Sequence, residues 1–141
     1  MYAQDISPNL NILLVDDDIR IQRTLKIILK ESGFKNIHTA DNGAEALQML
    51  RKWGIDLVFL DWDMPQMNGG EVLEKMQRSN MMQHTKVVML TAHSEKEHVL
   101  SAIQFGASKF IVKPFTPIDI CQKIEEVFSA NLVKKNKPGK P

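Results

Sequence analysis

The stretch LVFLDWD at residues 57–63 places four consecutive apolar residues directly before two aspartates. The stretch ILLVDDD at residues 12–18 has the same design, with four apolar residues followed by three aspartates. Uninterrupted apolar runs of this length, rather than alternating ones, are typical of strands that are buried on both faces of a parallel sheet. Both stretches therefore predict a buried strand whose carboxyl end carries acidic side chains.

Three further short apolar runs lie along the chain, and amphipathic segments separate them. The runs cover residues 37–40, which are the least apolar, residues 87–90 and residues 110–112. Helical spacing of apolar residues is found, for example, at Ile21, Leu25, Ile28 and Leu29. Asn42 and Thr116 each precede an acid by three residues and predict helix starts. Five β-α units in succession predict an α/β fold: a doubly wound sheet of five parallel strands with five helices on two faces.

The length of 141 residues is enough for one ordinary domain. We expect this domain at residues 10–131, after an N-terminal extension at residues 1–9 and before a basic tail at residues 132–141. Hydrophobic residues make up 43% and charged residues 25% of the chain, which is typical of a globular protein and excludes a wholly disordered one. The N-terminus lacks the pattern of a secretory signal, and no apolar run is long enough to span a bilayer.

Charge and motif content exclude several functional classes. The formal net charge is +1, but four lysines lie in the last nine residues, so the remainder of the chain is mildly acidic. A domain that binds nucleic acid is expected to be basic over a whole face, so we predict no direct nucleic-acid binding. The lone Cys121 excludes an internal disulfide and a Cys-pair metal site, and it suits a reducing cytoplasm. No phosphate-binding glycine loop and no H-E-x-x-H zinc motif is present.

Polar side chains gather where the predicted strands end. In open α/β sheets, ligands bind outside the carboxyl ends of the strands. The residues at these ends are Asp16, Asp17, Asp18, Asp61, Asp63, Thr91 and Lys113. Carboxylates that meet at one rim raise one another's pKa, and a cation relieves their repulsion. Hard oxygen ligands without histidine or cysteine favour Mg²⁺, and a lysine at the same rim can pair with an anion.

An aspartate beside Mg²⁺ and a lysine is a candidate acceptor for a phosphoryl group, because aspartyl phosphates are a known covalent form. The competing structural interpretation is that aspartates after strands cap the following helices. We expect that interpretation to hold for Asp18. For Asp16, Asp17 and Asp61 together with Lys113, we expect the chemical role.

The same residues resemble the receiver domain of bacterial two-component response regulators, of the chemotaxis-regulator type. Four segments carry the resemblance in the right order: VDDD at residues 15–18, LDWDMPQMNG at residues 60–69, LTA at residues 90–92 and KPF at residues 113–115. The resemblance covers nearly the whole chain outside its ends. It implies a flavodoxin-like sheet with strand order 2-1-3-4-5, and a cis peptide bond between Lys113 and Pro114.

The resemblance also implies a role for each site residue. Asp61 is the expected phosphoacceptor. Mg²⁺ is expected to be bound by the side chains of Asp17 and Asp61, by the backbone carbonyl of Asp63, and through water by Asp16. Lys113 is expected to pair with a phosphoryl oxygen. Thr91 is expected to move toward another phosphoryl oxygen, and Phe110 to turn inward and change a partner-binding face.

The expected partners are a sensor histidine kinase or phosphotransfer protein upstream and a protein target downstream. We expect a cytoplasmic monomer or a weak, phosphorylation-dependent dimer that catalyses only its own phosphorylation and dephosphorylation. One alternative is a small phosphohydrolase with Asp61 as nucleophile, which the D-x-D pattern of Asp61 and Asp63 suggests. Against it, the acidic pair at residues 16–17 comes first, whereas such enzymes carry theirs late in the chain. A second alternative is a receiver that is part of a longer regulator with an output domain.

Overall fold

Five parallel strands form one sheet in the order β2-β1-β3-β4-β5, which confirms the predicted fold class and strand order. The computed structural model describes residues 6–92, 103–104 and 106–136. The strands are β1 (Asn11–Val15), β2 (Asn36–Ala40), β3 (Leu57–Asp61), β4 (Lys86–Thr91) and β5 (Lys109–Val112). The helices are α1 (Ile19–Glu31), α2 (Gly43–Lys52), α3 (Gly69–Arg78) and α4 (Pro117–Asn136), with a short 3₁₀ turn at Met81–Gln83.

Four of the five predicted helices are thus found in the described part of the chain. The predicted helix between β4 and β5 falls largely on residues outside it, although Ile103 and Gln104 are helical. The expected capping residues are confirmed. The Asn42 side chain accepts a hydrogen bond from the backbone N–H of Glu45 at the start of α2. Thr116 and Asp119 exchange two hydrogen bonds at the start of α4, which satisfies N–H groups that have no partner within the helix.

The sheet is covered on both faces, which explains the continuous apolar runs of β1 and β3. Ile12 and Leu14 belong to one buried cluster, which includes apolar residues of α1 and α4. Leu13 and Val15 point to the other side, into a cluster formed with α2 and α3. Each of these four side chains is at most 1% exposed. Burial of one such side chain is worth roughly 1.5–3 kcal/mol, so both faces of the central strands contribute to stability.

Strand β2 explains why residues 37–40 gave the weakest apolar signal. It is an edge strand and pairs only with β1. Its first four residues are only half-buried, and Ala40 alone is fully buried. An edge strand of this kind tolerates polar side chains because it has only one neighbouring strand.

The folded part of the chain extends beyond the expected domain limits, residues 10 and 131, at both ends. Ile6 is 8% exposed and packs in the same cluster as Leu14. Helix α4 extends to Asn136. None of the helices in the described residues has the length and apolarity needed to cross a membrane.

The register of the sheet brings the predicted site residues to one rim. Val15 of β1 is paired with Leu60 of β3, so the residues that follow them, Asp16 and Asp61, are neighbours. Strand β1 has β2 on one side and β3 on the other, so the chain order reverses between them. This reversal point at the carboxyl ends of the strands is where open α/β sheets bind ligands.

Candidate functional site

Three aspartates converge at the carboxyl ends of β1 and β3. One carboxylate oxygen each from Asp16, Asp17 and Asp61 lies within 4.8 Å of the other two. Asp16 and Asp61 are 1% and 2% exposed, whereas Asp17 is exposed to solvent. The set contains neither histidine nor cysteine. Carboxylate oxygens with one open side suit Mg²⁺, which keeps several waters and binds few protein ligands. The residues present therefore fit the predicted cation.

Lys113 supplies the positive charge that the sequence predicts at this rim. Its Nζ atom lies 3.0 Å from Oδ1 of Asp61 and 3.1 Å from Oδ2 of Asp16. The backbone positions it as well, because the N–H of Lys113 donates to the carbonyl of Thr91 over 2.7 Å at the end of β4. The peptide bond between Lys113 and Pro114 is cis, as the resemblance implied.

Burial and charge set the protonation of this cluster. Burial, together with the negative charge of Asp16, raises the pKa of Asp61 to about 6, against the lowering effect of the hydrogen bond from Lys113. Burial alone lowers the pKa of Lys113, but hydrogen bonds and charges from Asp61 and Asp16 outweigh it and the net shift is upward. The lysine therefore stays an ammonium, and one positive charge faces three carboxylates.

The loop from β1 to α1 organises the acidic residues. The backbone N–H of Asp18 donates to Oδ1 of Asp16 over 2.8 Å. The Asp18 side chain accepts from the backbone N–H of Arg20 and caps α1, as expected for this residue. Hydrogen bonds from the Arg20 side chain and backbone hold the pKa of Asp18 below its usual value. Asp18 thus serves the helix, and Asp16 and Asp17 serve the site.

The loop from β3 to α3 depends on a close backbone approach at Gly69. The Gly69 N–H donates to the carbonyl of Trp62 over 2.8 Å. A Cβ atom at this position would overlap the carbonyl oxygen of Asp61 and crowd Trp62. The backbone N–H of Asp63 hydrogen-bonds the Asp61 carboxyl. The Asp63 side chain is exposed and is not part of the carboxylate cluster.

The two expected switch residues lie on neighbouring strands. Thr91 ends β4 and is 3% exposed, and its register partner in β5 is Val112. Phe110 is half-buried and packs against the cluster on the α2–α3 side of the sheet. A cavity of about 210 Å³ adjoins it, lined by Ile103, Ala107, Ser108, Lys109 and Phe110. Beside Phe110 there is therefore space in which a side chain can change position.

Two further residues of the site could not be singled out from the sequence by motif. Gln22 lies on the apolar face of α1 and is 6% exposed, with its amide directed at the β1–α1 loop. Gly69 ends the motif at residues 60–69, but its steric requirement is visible only in the structure. The signal for Gln22 is a polar residue at a buried helical position, which is costly without hydrogen bonds.

Residues 12–125 match the family model of the response regulator receiver domain. The chain belongs to this family. Among curated proteins it is 37% identical over 123 residues to the chemotaxis protein CheY-3 of Vibrio cholerae, a match that covers 87% of this chain and 95% of the relative. Receiver domains bind Mg²⁺ at an acidic cluster of aspartates, and the three aspartates found here are such a cluster.

Two solved structures extend the comparison. The CheX–CheY–BeF₃–Mg²⁺ complex of Borrelia burgdorferi gives a TM-score of 0.79 at 32% identity, covering 84% of this chain and 89% of that one. The response regulator TrrA of Thermotoga maritima, in complex with Mg²⁺ and BeF, gives 0.74 at 34% identity, covering 84% and 99%. The chain is therefore a receiver of the CheY type, a phosphorylation-activated signalling switch.

Proposed function

We propose that Asp61 accepts the phosphoryl group that operates this receiver. The observation that carries the proposal is the position of Asp61, which is buried at the end of β3, within 4.8 Å of two further carboxylates and hydrogen-bonded to Lys113. A carboxylate oxygen of Asp61 attacks phosphorus, and the bond from phosphorus to the donor breaks in line. Water later attacks the acyl phosphate and regenerates the carboxylate with release of inorganic phosphate.

The neighbouring residues support this transfer. Bound Mg²⁺ supplies charge neutralisation for the transferred group. We assign its binding to the side chains of Asp17 and Asp61, the backbone carbonyl of Asp63 and, through water, Asp16. Lys113 already pairs with the oxygen of Asp61 that it holds at 3.0 Å, and it pairs with a phosphoryl oxygen once the group is transferred.

The output follows from Thr91 and Phe110. The Thr91 hydroxyl hydrogen-bonds a phosphoryl oxygen, and Phe110 turns inward and reshapes the adjoining surface. This is a local charge event that shifts the population of a two-state element. Phe110 adjoins a cavity, so its ring is not held by packing on every side, which supports this step. The space for the inward turn opens beneath Thr91 when that residue moves.

The proposed setting is the cytoplasm, with a sensor histidine kinase or phosphotransfer protein as donor and a protein as downstream target. The unit spans residues 10–131 and acts as a monomer or a weak, phosphorylation-dependent dimer without binding nucleic acid. Its only chemistry is its own phosphorylation and dephosphorylation. The match at residues 12–125 falls within this unit, and Ile6, which precedes it, also packs against the core.

Intact mass tests the acceptor after incubation with acetyl phosphate and Mg²⁺. We expect one added phosphoryl group, its loss in Asp61→Asn and its loss with chelator. Asp56→Asn is the matched control, because Asp56 directly precedes the opposite end of the same strand. A retained adduct in Asp61→Asn overturns the assignment. Multiple turnovers of a phosphate monoester would instead favour the phosphohydrolase alternative.

A further inference from the structure

A buried amide lies next to the acidic cluster on the inner face of α1. The helix buries four residues, of which three are aliphatic and the fourth is Gln22, at 6% exposure. An amide at such a position costs stability unless its N–H and C=O groups are hydrogen-bonded. What Gln22 binds therefore indicates what it does.

The side-chain amide of Gln22 links the ends of two strands. Its Nε2 atom donates to the backbone carbonyl of Asp16 over 2.6 Å and to Oδ1 of Asp41 over 2.8 Å. The carbonyl of Ala40 lies 3.3 Å from the same atom. Asp16 follows β1, and Ala40 and Asp41 lie at the end of β2. The bond to the Asp41 carboxylate is charge-assisted and so is one of the stronger kind.

These contacts occur where the backbone ladder between β1 and β2 stops. The last rung is the N–H of Asp16, which donates to the carbonyl of Ala40 over 3.2 Å. In the parallel register the next donor would be the N–H of Asn42, to the carbonyl of Asp16, but Asn42 is already the N-cap of α2. The Asp16 carbonyl is bound by Gln22 instead. The side chain thus extends the strand pairing by one contact, at the peptide that joins Asp16 to Asp17.

We infer that Gln22 is a positioning residue for the cation site, holding the peptide between Asp16 and Asp17 so that both carboxylates face Asp61. The inference rests on the proposed function, since it assumes that these carboxylates bind Mg²⁺. A displacement of this peptide shifts the two Cα atoms that it joins, and therefore the side chains of both Asp16 and Asp17. Loss of a hydrogen-bonding group that orients a metal ligand typically weakens metal affinity by roughly 10- to 100-fold.

Calorimetric titration of the full chain with MgCl₂ at fixed ionic strength tests this. In Gln22→Met, a side chain of similar length without donors, we expect the Kd for Mg²⁺ to rise about tenfold. Thr85→Val is the matched control. Thr85 is 7% exposed, and its hydroxyl donates to the carbonyl of Ile55 over 2.7 Å. Both residues precede the amino ends of β3 and β4, at the edge of the sheet opposite the site. The Thr85→Val variant also loses a buried hydrogen bond, but we expect its Kd for Mg²⁺ to stay within twofold of that of the unaltered protein.

A double-mutant cycle separates positioning from charge. Asp41→Ala removes the exposed acceptor of Gln22, and we expect a weaker site in the otherwise unaltered protein but no further weakening in the Gln22→Met background. Loss of long-range charge alone would weaken both backgrounds equally, and that result overturns the inference. If Gln22→Met fails to fold, Asp41→Asn carries the test, because it removes the same charge but keeps a carbonyl acceptor for Gln22. We then expect Asp41→Ala to weaken Mg²⁺ binding more than Asp41→Asn, and equal weakening overturns the inference.

The remaining outcomes are distinct. An unchanged Kd in Gln22→Met, with a lower melting temperature, overturns the inference and assigns Gln22 to stability alone. No Mg²⁺ binding by the unaltered protein overturns the cation site of the proposed function, and the inference with it.

Discussion

The ammonium of Lys113, which follows β5, lies 3.0 Å from Oδ1 of Asp61 at the end of β3 and so links the carboxyl ends of these two strands. These strands are not adjacent, because β4 lies between them. The same Nζ atom also reaches Asp16 beyond β1, so one charge contacts carboxylates of two further strands. We therefore expect the loss of the Lys113 ammonium to affect both the stability of the fold and the chemistry of Asp61.

Replacement of Lys113 by methionine leaves two buried carboxylates without their cation. We expect Lys113→Met to lower the free energy of unfolding by about 2 kcal/mol near neutral pH, and by less near pH 5, where a carboxyl can take up a proton. Urea unfolding with chelator at both pH values measures this. Lys109→Met is the control, because its bridge to Glu126 is solvent-exposed and worth about 0–1 kcal/mol. Equal losses for both variants would contradict the prediction.

Asp61 should make the metal-free protein less stable as pH rises. Its pKa is raised to about 6 in the folded protein, above the value of about 3.9 for an unfolded chain. The folded state therefore binds more protons between these values, and stability falls as pH increases through this window. We expect Asp61→Asn to be more stable than the unaltered protein near pH 7.5, by about 1–3 kcal/mol, with the gap closing near pH 4. A gap that is independent of pH would contradict this.

Mg²⁺ should raise the melting temperature of the protein, and this gain should depend on Asp17, the exposed aspartate of the cluster. Binding at ten times the Kd stabilises a folded protein by about 1.4 kcal/mol. Asp17→Asn removes an exposed ligand, so we expect little change in stability without metal and loss of most of the gain with it. Differential scanning fluorimetry measures the gain, and potassium chloride of equal ionic strength is the control. An undiminished gain in Asp17→Asn would remove Asp17 from the site.

Gly69→Ala should disturb the acceptor without touching its side chain. The added Cβ overlaps the backbone carbonyl of Asp61, so the loop or the strand end has to shift. Overpacking of this kind costs about 1–3 kcal/mol. We also expect phosphorylation by acetyl phosphate to slow at least about tenfold, because small displacements of a reacting group are costly. Gly54→Ala, which meets open space, should change neither value.

Thr91→Val should separate phosphorylation from the switch. Valine keeps the shape of threonine but lacks the hydroxyl that we assign to the phosphoryl group. We expect the mass adduct on Asp61 to form and the ring of Phe110 to keep its unphosphorylated environment. Fluorine NMR of protein labelled with para-fluorophenylalanine measures that environment, with the resonance assigned by Phe110→Leu. A shift of this resonance in phosphorylated Thr91→Val would remove Thr91 from the switch.

The five strands and the acidic rim could be predicted because the local signals are strong. Continuous apolar runs that end in aspartate place Asp16 and Asp61 at strand ends, whatever the strand order. The order itself could not be obtained from periodicity, which does not say which strands are neighbours, and it came from the resemblance. With β1 beside β3 the two carboxylates meet, as the structure confirms.

The residues that escaped prediction depend on long-range contacts. Gln22 interrupts an otherwise apolar helix face, and only the folded chain shows that its amide binds the ends of β1 and β2. Ile6 precedes every recognisable element, yet it packs into the core. The extension of α4 to Asn136 runs through lysines that the sequence suggested as a tail. Cations are favourable in the last turns of a helix, which is consistent with this extension.

Strand β3 is buried along its whole length, whereas β5 is buried only at Ile111. Asp61 therefore lies on a fully buried strand of the core, whereas Phe110 belongs to a strand at the edge. Substitutions near the acceptor are constrained by stability, while those on the outer surface of β5 are nearly free of that constraint. During evolution, such a sheet can acquire a new target at its edge while the chemistry at its centre is inherited unchanged.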